Sequence, residues 1–139
     1  MARRLHIEGD RELLRTLKRM RLKTSEEVKA IRPAAKLIQS RARALVPVDE
    51  GLLQKSIKLK RMRGAPAAIA VLPEYRKRVS KKTGKTLSAG FHAHLVEWGT
   101  RFAAAQPFMR PAFVQTGDAA QRQLLLGLWD LVKRKARAR

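Results

Sequence analysis

Cysteine is absent from this chain of 139 residues, which excludes disulfides, thiol catalysis and cysteine-ligated zinc. Long apolar runs are missing too: stretches such as Leu124–Leu128 fall far short of the ~20 residues that a bilayer requires. No apolar signal core follows the basic start Met1–Arg4, so we expect no export. Acidic residues are scarce and scattered, with 11 Asp and Glu in all, which argues against a carboxylate-based active site.

Positive charge is what the chain has in excess. Lys and Arg number 32, and the net charge is +21. Hydrophobic residues make up 45% of the chain, too many for a disordered polycation, and the length suits one domain spanning 1–139. Because such a subunit repels its own copies, we expect its partners to supply negative charge.

Apolar residues spaced three and four apart predict a long N-terminal helix from about Asp10 to Leu45. Thr24 and Glu27 have the spacing of a capping box, and Pro33 predicts a kink. The apolar stripe is formed by Leu13, Leu17 and Met20 before this box and by Val28, Ile31, Ala35, Ile38, Ala42 and Leu45 after it. The opposite face is either simply solvated or turned towards a polyanion, and it carries Lys29, Arg32, Lys36, Arg41 and Arg43.

Two segments in the middle of the chain predict a hairpin. Ser56–Arg61 alternates apolar and basic residues, as a half-buried strand does, and Ala68–Leu72 is a more apolar strand after a turn at Arg63–Pro66. A C-terminal helix is predicted from Pro111 to about Lys135, with a kink or restart at Gly117–Asp118 and a frayed basic tail over about 133–139. Its apolar face consists of Leu124, Leu125, Leu128, Trp129, Leu131 and Val132. The predicted fold is α+β: a small antiparallel sheet flanked by a long kinked N-terminal helix and a C-terminal helix, with a basic loop or hairpin arm.

The basic arm spans about residues 74–90 and holds six basic residues against one acid, with Thr83–Gly84 as a candidate tip. It is either a tolerated surface loop or an electrostatic arm that contacts phosphates. The candidate phosphate contacts are Arg76, Lys77, Arg78, Lys81, Lys82 and Lys85 of the arm, with Lys58 and Lys60 of the first strand.

Catalytic chemistry is not indicated. His92 and His94 would point the same way in a strand and could then bind a metal, but no third ligand stands at a matching position. We therefore predict no enzymatic activity, no metal and no cofactor. Within Phe91–Phe113, which is rich in aromatic residues, Glu97 is a lone acid that should pair with Arg101 or Arg110. Gly99–Thr100 suits a sharp reversal, and Phe102, Phe108 and Phe113 are expected to pack against the helices.

Two motifs resemble those of a known family. The first is Ala-Leu-Val-Pro-Val-Asp-Glu-Gly-Leu-Leu-Gln-Lys-Ser-Ile, from Ala44 to Ile57; the second joins His94-Leu-Val-Glu-Trp-Gly-Thr100 to Gln106-Pro-Phe-Met-Arg-Pro-Ala-Phe113. They are similar to signatures of the head–tail joining proteins of long-tailed double-stranded-DNA bacteriophages, which are neck or tail-completion proteins. The resemblance covers roughly Ala34–Phe113. Its motif residues are Gly51, Ser56, Glu97, Trp98, Gly99, Thr100, Pro107, Phe108, Arg110 and Pro111.

The resemblance implies a non-enzymatic virion subunit, assembled in the host cytoplasm, that forms a ring around the DNA passage. Related rings are commonly hexameric and join portal, adaptor or head-closure proteins to tail-tube or tail-terminator proteins. The basic residues would then line a channel for double-stranded DNA, held without sequence preference, or meet acidic surfaces of neighbouring neck proteins. The alternative is a free nucleic-acid-binding basic protein, although the basic stretches lack interleaved aromatic residues for base stacking.

Overall fold

The computed structural model describes residues 15, 23–75, 77–79 and 81–137. Its elements, numbered within those residues, are the helices α1 (Thr24–Leu45), α2 (Leu52–Ser56), α3 (Ala89–Trp98) and α4 (Met109–Arg137) and the strands β1 (Ile57–Met62), β2 (Ala65–Pro73), β3 (Lys77–Val79) and β4 (Thr86–Ser88). The predicted α+β class is confirmed, with two antiparallel hairpins, β1–β2 and β3–β4, in place of one sheet. None of the described helices is both long enough and apolar enough to cross a membrane.

Helix α1 begins one residue earlier than the predicted capping box requires. Lys23 is the N-cap, and its backbone N–H donates to Glu26 Oε2 at 3.2 Å. Thr24 therefore lies inside the helix, and the capping box of Thr24 with Glu27 is wrong. Pro33 lies within the helix, and the kink expected there stays a prediction. Apart from Arg15, residues 10–22 of the predicted helix, including Leu13, Leu17 and Met20, lie outside the described residues.

The β1–β2 hairpin follows the predicted pattern. Arg63 and Gly64 form the turn, where Gly64 takes the left-handed φ of 81° that glycine tolerates best. The predicted turn extended to Pro66, but Ala65 already pairs with Met62. Ile57 at the start of β1 is fully buried, and the strand becomes exposed towards the turn, since only its first half packs against the rest of the protein.

Small residues bring α1 and α4 close together. Val28, Ala30, Ala34 and Ala35 are buried on α1, which packs extensively against α4, and the buried residues of α4 include Ala120, Leu131 and Val132. The predicted stripe is thus confirmed at Val28, Ala35 and Ala42, while its larger members Ile31, Ile38 and Leu45 stay partly exposed. An ion pair between Lys135 Nζ and Glu26 Oε1, 2.9 Å apart, joins the end of α4 to the start of α1.

Helix α4 is continuous from Met109 to Arg137, so a restart at Gly117–Asp118 is wrong, whereas a kink there stays a prediction. The reason is tertiary: packing against α1 stabilises the helix beyond what its own residues would support. A second cluster of buried residues lies where the start of α4 meets α1, α3 and β1. It consists of Ala42, Val46, Ile57, Ala93, Phe108 and Ala112.

Gly127 is the point of closest approach between these two helices. A Cβ atom there would lie 2.4 Å from the backbone oxygen of Ala30, so Gly127→Ala forces the helices apart. We expect this change to lower the free energy of unfolding by about 1–2 kcal/mol, because overpacking outweighs the better helix propensity of alanine. Urea denaturation of the purified protein measures it.

Gly117 offers the matched control in the same helix. No heavy atom lies within 4 Å of a Cβ built there, so Gly117→Ala should raise the free energy of unfolding by up to about 1 kcal/mol. Equal effects of the two substitutions would contradict the close packing of α1 on α4.

Candidate functional site

The basic arm is a hairpin. β3 and β4 pair antiparallel, with Lys77 opposite Ser88 and Val79 opposite Thr86, and Gly84 in the connecting loop has a φ of 65°. Its strands are only three residues long, so it forms a small sheet apart from β1–β2. The hairpin alternative predicted for this segment is therefore confirmed.

The arm presents the lysines Lys77, Lys81, Lys82 and Lys85 to solvent. Two of these residues also tie the arm to the loop before α2. Lys82 Nζ forms an ion pair with Asp49, whose hydrogen bond raises the pKa of Lys82, and the backbone N–H of Lys81 donates to Glu50 Oε2 at 3.0 Å. Part of the charge of Lys82 is thus balanced within the subunit. Arg76 lies outside the described residues, and Arg78 pairs with Leu87 through the backbone.

The two strand lysines differ in their surroundings. Lys60 is exposed, and Lys58 lines a cleft of about 300 Å³ together with Arg43, Gln54 and Lys55. Among the residues that the structure describes, no carboxylate lines this cleft. Three cationic side chains around one cleft suit a phosphate group, which accepts charge-assisted hydrogen bonds.

Arg43, which helical spacing assigns to the outer face of α1, is partly buried. Its Nη2 donates to the backbone oxygen of Ile57 at 2.8 Å, and its own backbone oxygen accepts from Gln54 Nε2 at 2.9 Å. Its Nε atom is buried and finds no acceptor among the described residues. The guanidinium is therefore held in place by its bond to Ile57, while its residue also lines the cleft.

Lys55 was missed as a candidate contact, and Arg43 was considered only as part of the outer face of α1. The turn after Pro47 reverses the chain and brings the end of α1 beside α2 and β1. Helical periodicity assigns Arg43 to the solvent face. The one sequence feature that could indicate this arrangement is the group of turn residues at Pro47–Gly51, which lies between the basic segment of Arg43 and that of Lys55 and Lys58.

The first motif forms a corner between α1 and β1. Gly51 is the N-cap of α2 with a φ of 69°, and its backbone oxygen accepts from Lys55 N–H at 3.0 Å. Ser56 is buried; its hydroxyl donates to the oxygen of Leu53 at 2.7 Å, and its backbone oxygen accepts from Glu74 N–H at 2.8 Å. These two residues thus shape the turn and tie it to the end of β2.

The second motif is built around Glu97. Its carboxylate accepts the backbone N–H groups of Phe108 at 2.8 Å, Met109 at 2.9 Å and Arg110 at 3.0 Å. The expected ion pair with Arg101 or Arg110 is wrong: neither guanidinium pairs with Glu97 in the described part of the chain. The start of a helix offers several free N–H donors together with its positive dipole end, and these satisfy the carboxylate directly.

The first turn of α4 leaves no backbone donor unsatisfied. Glu97 accepts from Phe108, Met109 and Arg110; Pro111 has no N–H; and Ala112 N–H donates to the oxygen of Phe108 at 3.2 Å. The spacing of the glutamate and of Pro111 in this motif therefore has a physical reason, since Pro111 has no N–H to satisfy at a position that the carboxylate does not reach.

The pKa of Glu97 reflects this arrangement. Partial burial of the carboxylate raises the pKa, but the hydrogen bonds from the three backbone N–H groups and the nearby charge of Arg110 outweigh it. The pKa of Glu97 consequently lies below its ordinary value, and the carboxylate is ionised at neutral pH.

The loop between α3 and α4 is tightly held. Gly99 has a φ of 76°, and a Cβ there would lie 2.7 Å from the nitrogen of Ala105. Thr100 Oγ1 accepts the backbone N–H groups of Phe102 at 3.2 Å and Ala103 at 3.0 Å, and Gln106 N–H donates to the oxygen of Val96 at 2.8 Å. The predicted reversal at Gly99–Thr100 is confirmed, and Pro107 follows it just before α4.

Only one of the three phenylalanines expected to pack against the helices does so. Phe108 is fully buried, whereas Phe102 is 92% exposed and Phe113 59% exposed. Trp98 is also exposed, and the guanidinium of Arg110 lies 4.6 Å from the centre of its ring. The second motif therefore combines a buried anchor with an aromatic surface.

His92 and His94 lie on helix α3, so the condition for their alignment, a strand, is not met. Each packs edge-on against Phe91, at 5.6 and 5.7 Å between ring centres. Across the described ranges, no three His, Asp or Glu side chains come close enough together to hold a metal ion.

Comparisons of the chain with protein-family models, with curated proteins and with solved structures find no match. The case for function therefore rests on the motifs and on the geometry described above.

Proposed function

We propose that this protein is a structural subunit of a long-tailed double-stranded-DNA phage. In this role, copies of the protein assemble into a ring at the neck or the head-proximal end of the tail. The resemblance implies that the ring is a hexamer. The ring joins portal, adaptor or head-closure proteins to tail-tube or tail-terminator proteins and surrounds the DNA passage. No catalytic role is part of the proposal.

One observation carries the proposal. Glu97, from the first half of the second motif, satisfies the N–H groups of Phe108, Met109 and Arg110 in its second half. The residues on which the resemblance depends thus act as one structural unit, as a shared fold requires. This supports the resemblance, because a chance similarity between short sequence motifs would not require their residues to bond to one another at the start of a helix.

The charged surfaces fit a passage for DNA. The arm presents four exposed lysines, and the cleft of Arg43, Lys55 and Lys58 offers a place for a backbone phosphate. Contacts of this kind bind the duplex without reading its sequence, which suits a structure through which a whole genome moves. DNA in the ring would also offset the repulsion between subunits that each carry a charge of +21.

Electron microscopy of the purified protein, alone and mixed with phage tails that lack it, tests the proposal. We expect closed rings of uniform size that attach to one end of the tail, because subunit association and tail binding both belong to this role. Mass photometry of the same sample gives the number of subunits.

The competing function is that of a free nucleic-acid-binding protein, which the same lysines and the same cleft would also serve. Three results together would establish that alternative and contradict the proposed ring. The protein would stay monomeric at every concentration, would not bind phage tails, and would bind duplex DNA with steep salt dependence.

A further inference from the structure

An apolar groove runs along one side of α3. It has a volume of about 400 Å³ and lies between Val48 of the loop before α2, Leu52 at the start of α2, and the side chains of Val96 and His92 on α3. A second hollow of about 240 Å³ shares Pro47, His92 and Val96 with it and leads towards the loop after α3. A mostly apolar groove of this size can take an aromatic side chain.

Two acidic residues lie on the rim of the groove, and both also hold the basic arm of the same subunit, Asp49 through Lys82 and Glu50 through the backbone N–H of Lys81. Asp49 and Glu50 are neighbours there, in a chain with only 11 acidic residues. Asp49 pairs with Lys82, yet its side chain remains 77% exposed. An ion pair this exposed contributes little stability, so the carboxylate can accept a further cation or exchange one for another.

A knob of matching chemistry stands on the same subunit. Phe102 is 92% exposed, and the guanidinium of Arg101 lies 5.8 Å from the centre of its ring. Its loop is held by Gly99 and by the two hydrogen bonds to Thr100 Oγ1. Because the loop is already ordered, insertion of Phe102 into a partner costs little conformational entropy.

We propose that Phe102 of one copy inserts into the groove of a second copy, while Arg101 meets the acidic rim formed by Asp49 and Glu50. The charges select this occupant. A chain of +21 repels its copies over most of its surface, and the acidic rim is a place where a cationic loop can approach. Aromatic residues and arginine are also the types that dominate binding energy at interfaces.

Knob and groove are different surfaces, so each subunit donates one and receives the other. Contacts of this heterologous kind close into rings when the rotation between subunits permits it. This inference deepens the proposed function and rests on it for the ring, because it names the surfaces that join one subunit to the next.

Two variants separate the knob from the groove. Phe102→Ser removes the knob and leaves the groove intact; Val48→Arg places a cation at the mouth of the groove and leaves the knob intact. Both positions are exposed, at 92% and 62%, so both variants should fold, which thermal unfolding verifies. Phe113→Ser is the control, since Phe113 is an exposed phenylalanine outside both surfaces.

Analytical ultracentrifugation in moderate salt measures the result. We expect the wild type and Phe113→Ser to form the same oligomer, and each of the other two variants to associate at least about 30-fold more weakly. An equal mixture of Phe102→Ser and Val48→Arg should form a one-to-one heterodimer, because one intact knob then meets one intact groove.

The outcomes distinguish this inference from the proposed function. If Phe102→Ser keeps the wild-type oligomer, or if the mixture stays monomeric, the knob contact is overturned while the ring stands on its own test. If Phe102→Ser abolishes an oligomer that microscopy shows to be a two-fold dimer, the knob contact stands and the ring falls. If the wild type is monomeric and Phe102→Ser abolishes its binding to tails, the groove of a second copy is the wrong site for Phe102.

Discussion

Replacing Glu97 by alanine is expected to lower the free energy of unfolding by about 2–4 kcal/mol, since hydrogen bonds to an ionised group are strong and their loss leaves donors unpaired. The variant strands the N–H groups of Phe108, Met109 and Arg110 at the start of α4. It also removes the negative charge from the positive end of that helix. Urea denaturation of the wild type and the variant at neutral pH measures the difference.

The pH dependence of this difference identifies its cause. The pKa of Glu97 is lowered in the folded protein, so the carboxylate contributes stability above its ordinary pKa and loses that contribution as the pH falls through the folded pKa. The gap between wild type and Glu97→Ala should therefore be full at neutral pH and shrink below about pH 4.

Two further variants serve as references. Glu97→Gln keeps one acceptor oxygen without the charge and should fall between the wild type and Glu97→Ala. Glu74→Ala removes a carboxylate that makes no side-chain hydrogen bond within the described residues, so it should change stability little. If Glu97→Ala unfolds at the same temperature as the wild type, water replaces the carboxylate at the start of α4, and the three hydrogen bonds of Glu97 do not stabilise the fold.

Neutralising the four described lysines of the arm is the second prediction with a large effect. The four exposed residues Lys77, Lys81, Lys82 and Lys85 are changed to glutamine. If each contacts a phosphate, a plot of the logarithm of the binding constant for duplex DNA against the logarithm of salt concentration should become shallower by up to about 3.5. Fluorescence anisotropy with a labelled duplex at several salt concentrations measures the slope.

A variant with the same loss of charge separates contact from net charge. The outer face of α1 carries four exposed basic residues, Lys29, Arg32, Lys36 and Arg41, which can be changed to glutamine in the same way. The slope for this variant should change much less than for the arm variant. Equal slopes in the two variants would mean that the arm has no special place in DNA binding.

The cleft can be tested in the same assay. The double variant with Lys55→Gln and Lys58→Gln should make the same plot shallower by about 2, because each lysine that contacts a phosphate releases about one counterion. Arg43 is left unchanged, because its bond to Ile57 makes it part of the fold.

Local patterns in the sequence predicted the elements well where turn residues and periodicity agree. The β1–β2 hairpin, the arm and the long helices follow from alternation, helical spacing and glycine turns, which act over a few residues. The segment of His92 and His94 shows where such patterns leave the element undecided. It is short and apolar, and such a run suits a strand or a helix equally, so contacts with the rest of the protein decided in favour of α3.

Side-chain partners were much harder to predict than elements. Glu97 was expected to pair with an arginine, since opposite charges are the partners visible in a sequence. Its actual partners are backbone N–H groups. Every residue except proline carries one, so the sequence does not indicate which of them will bind a carboxylate. They became available only because α4 begins beside the end of α3.

By itself, the sequence determined the charge of +21, the α+β class and the position of the basic arm, because these depend on composition and on neighbouring residues. Only the tertiary structure decided that Phe108 is buried while Phe102 is exposed, and that Arg43 turns inward to bond Ile57. The physical reason is that burial and hydrogen bonding depend on which groups lie opposite a side chain. Those groups come from elements distant in the chain, and their arrangement is a property of the packed fold.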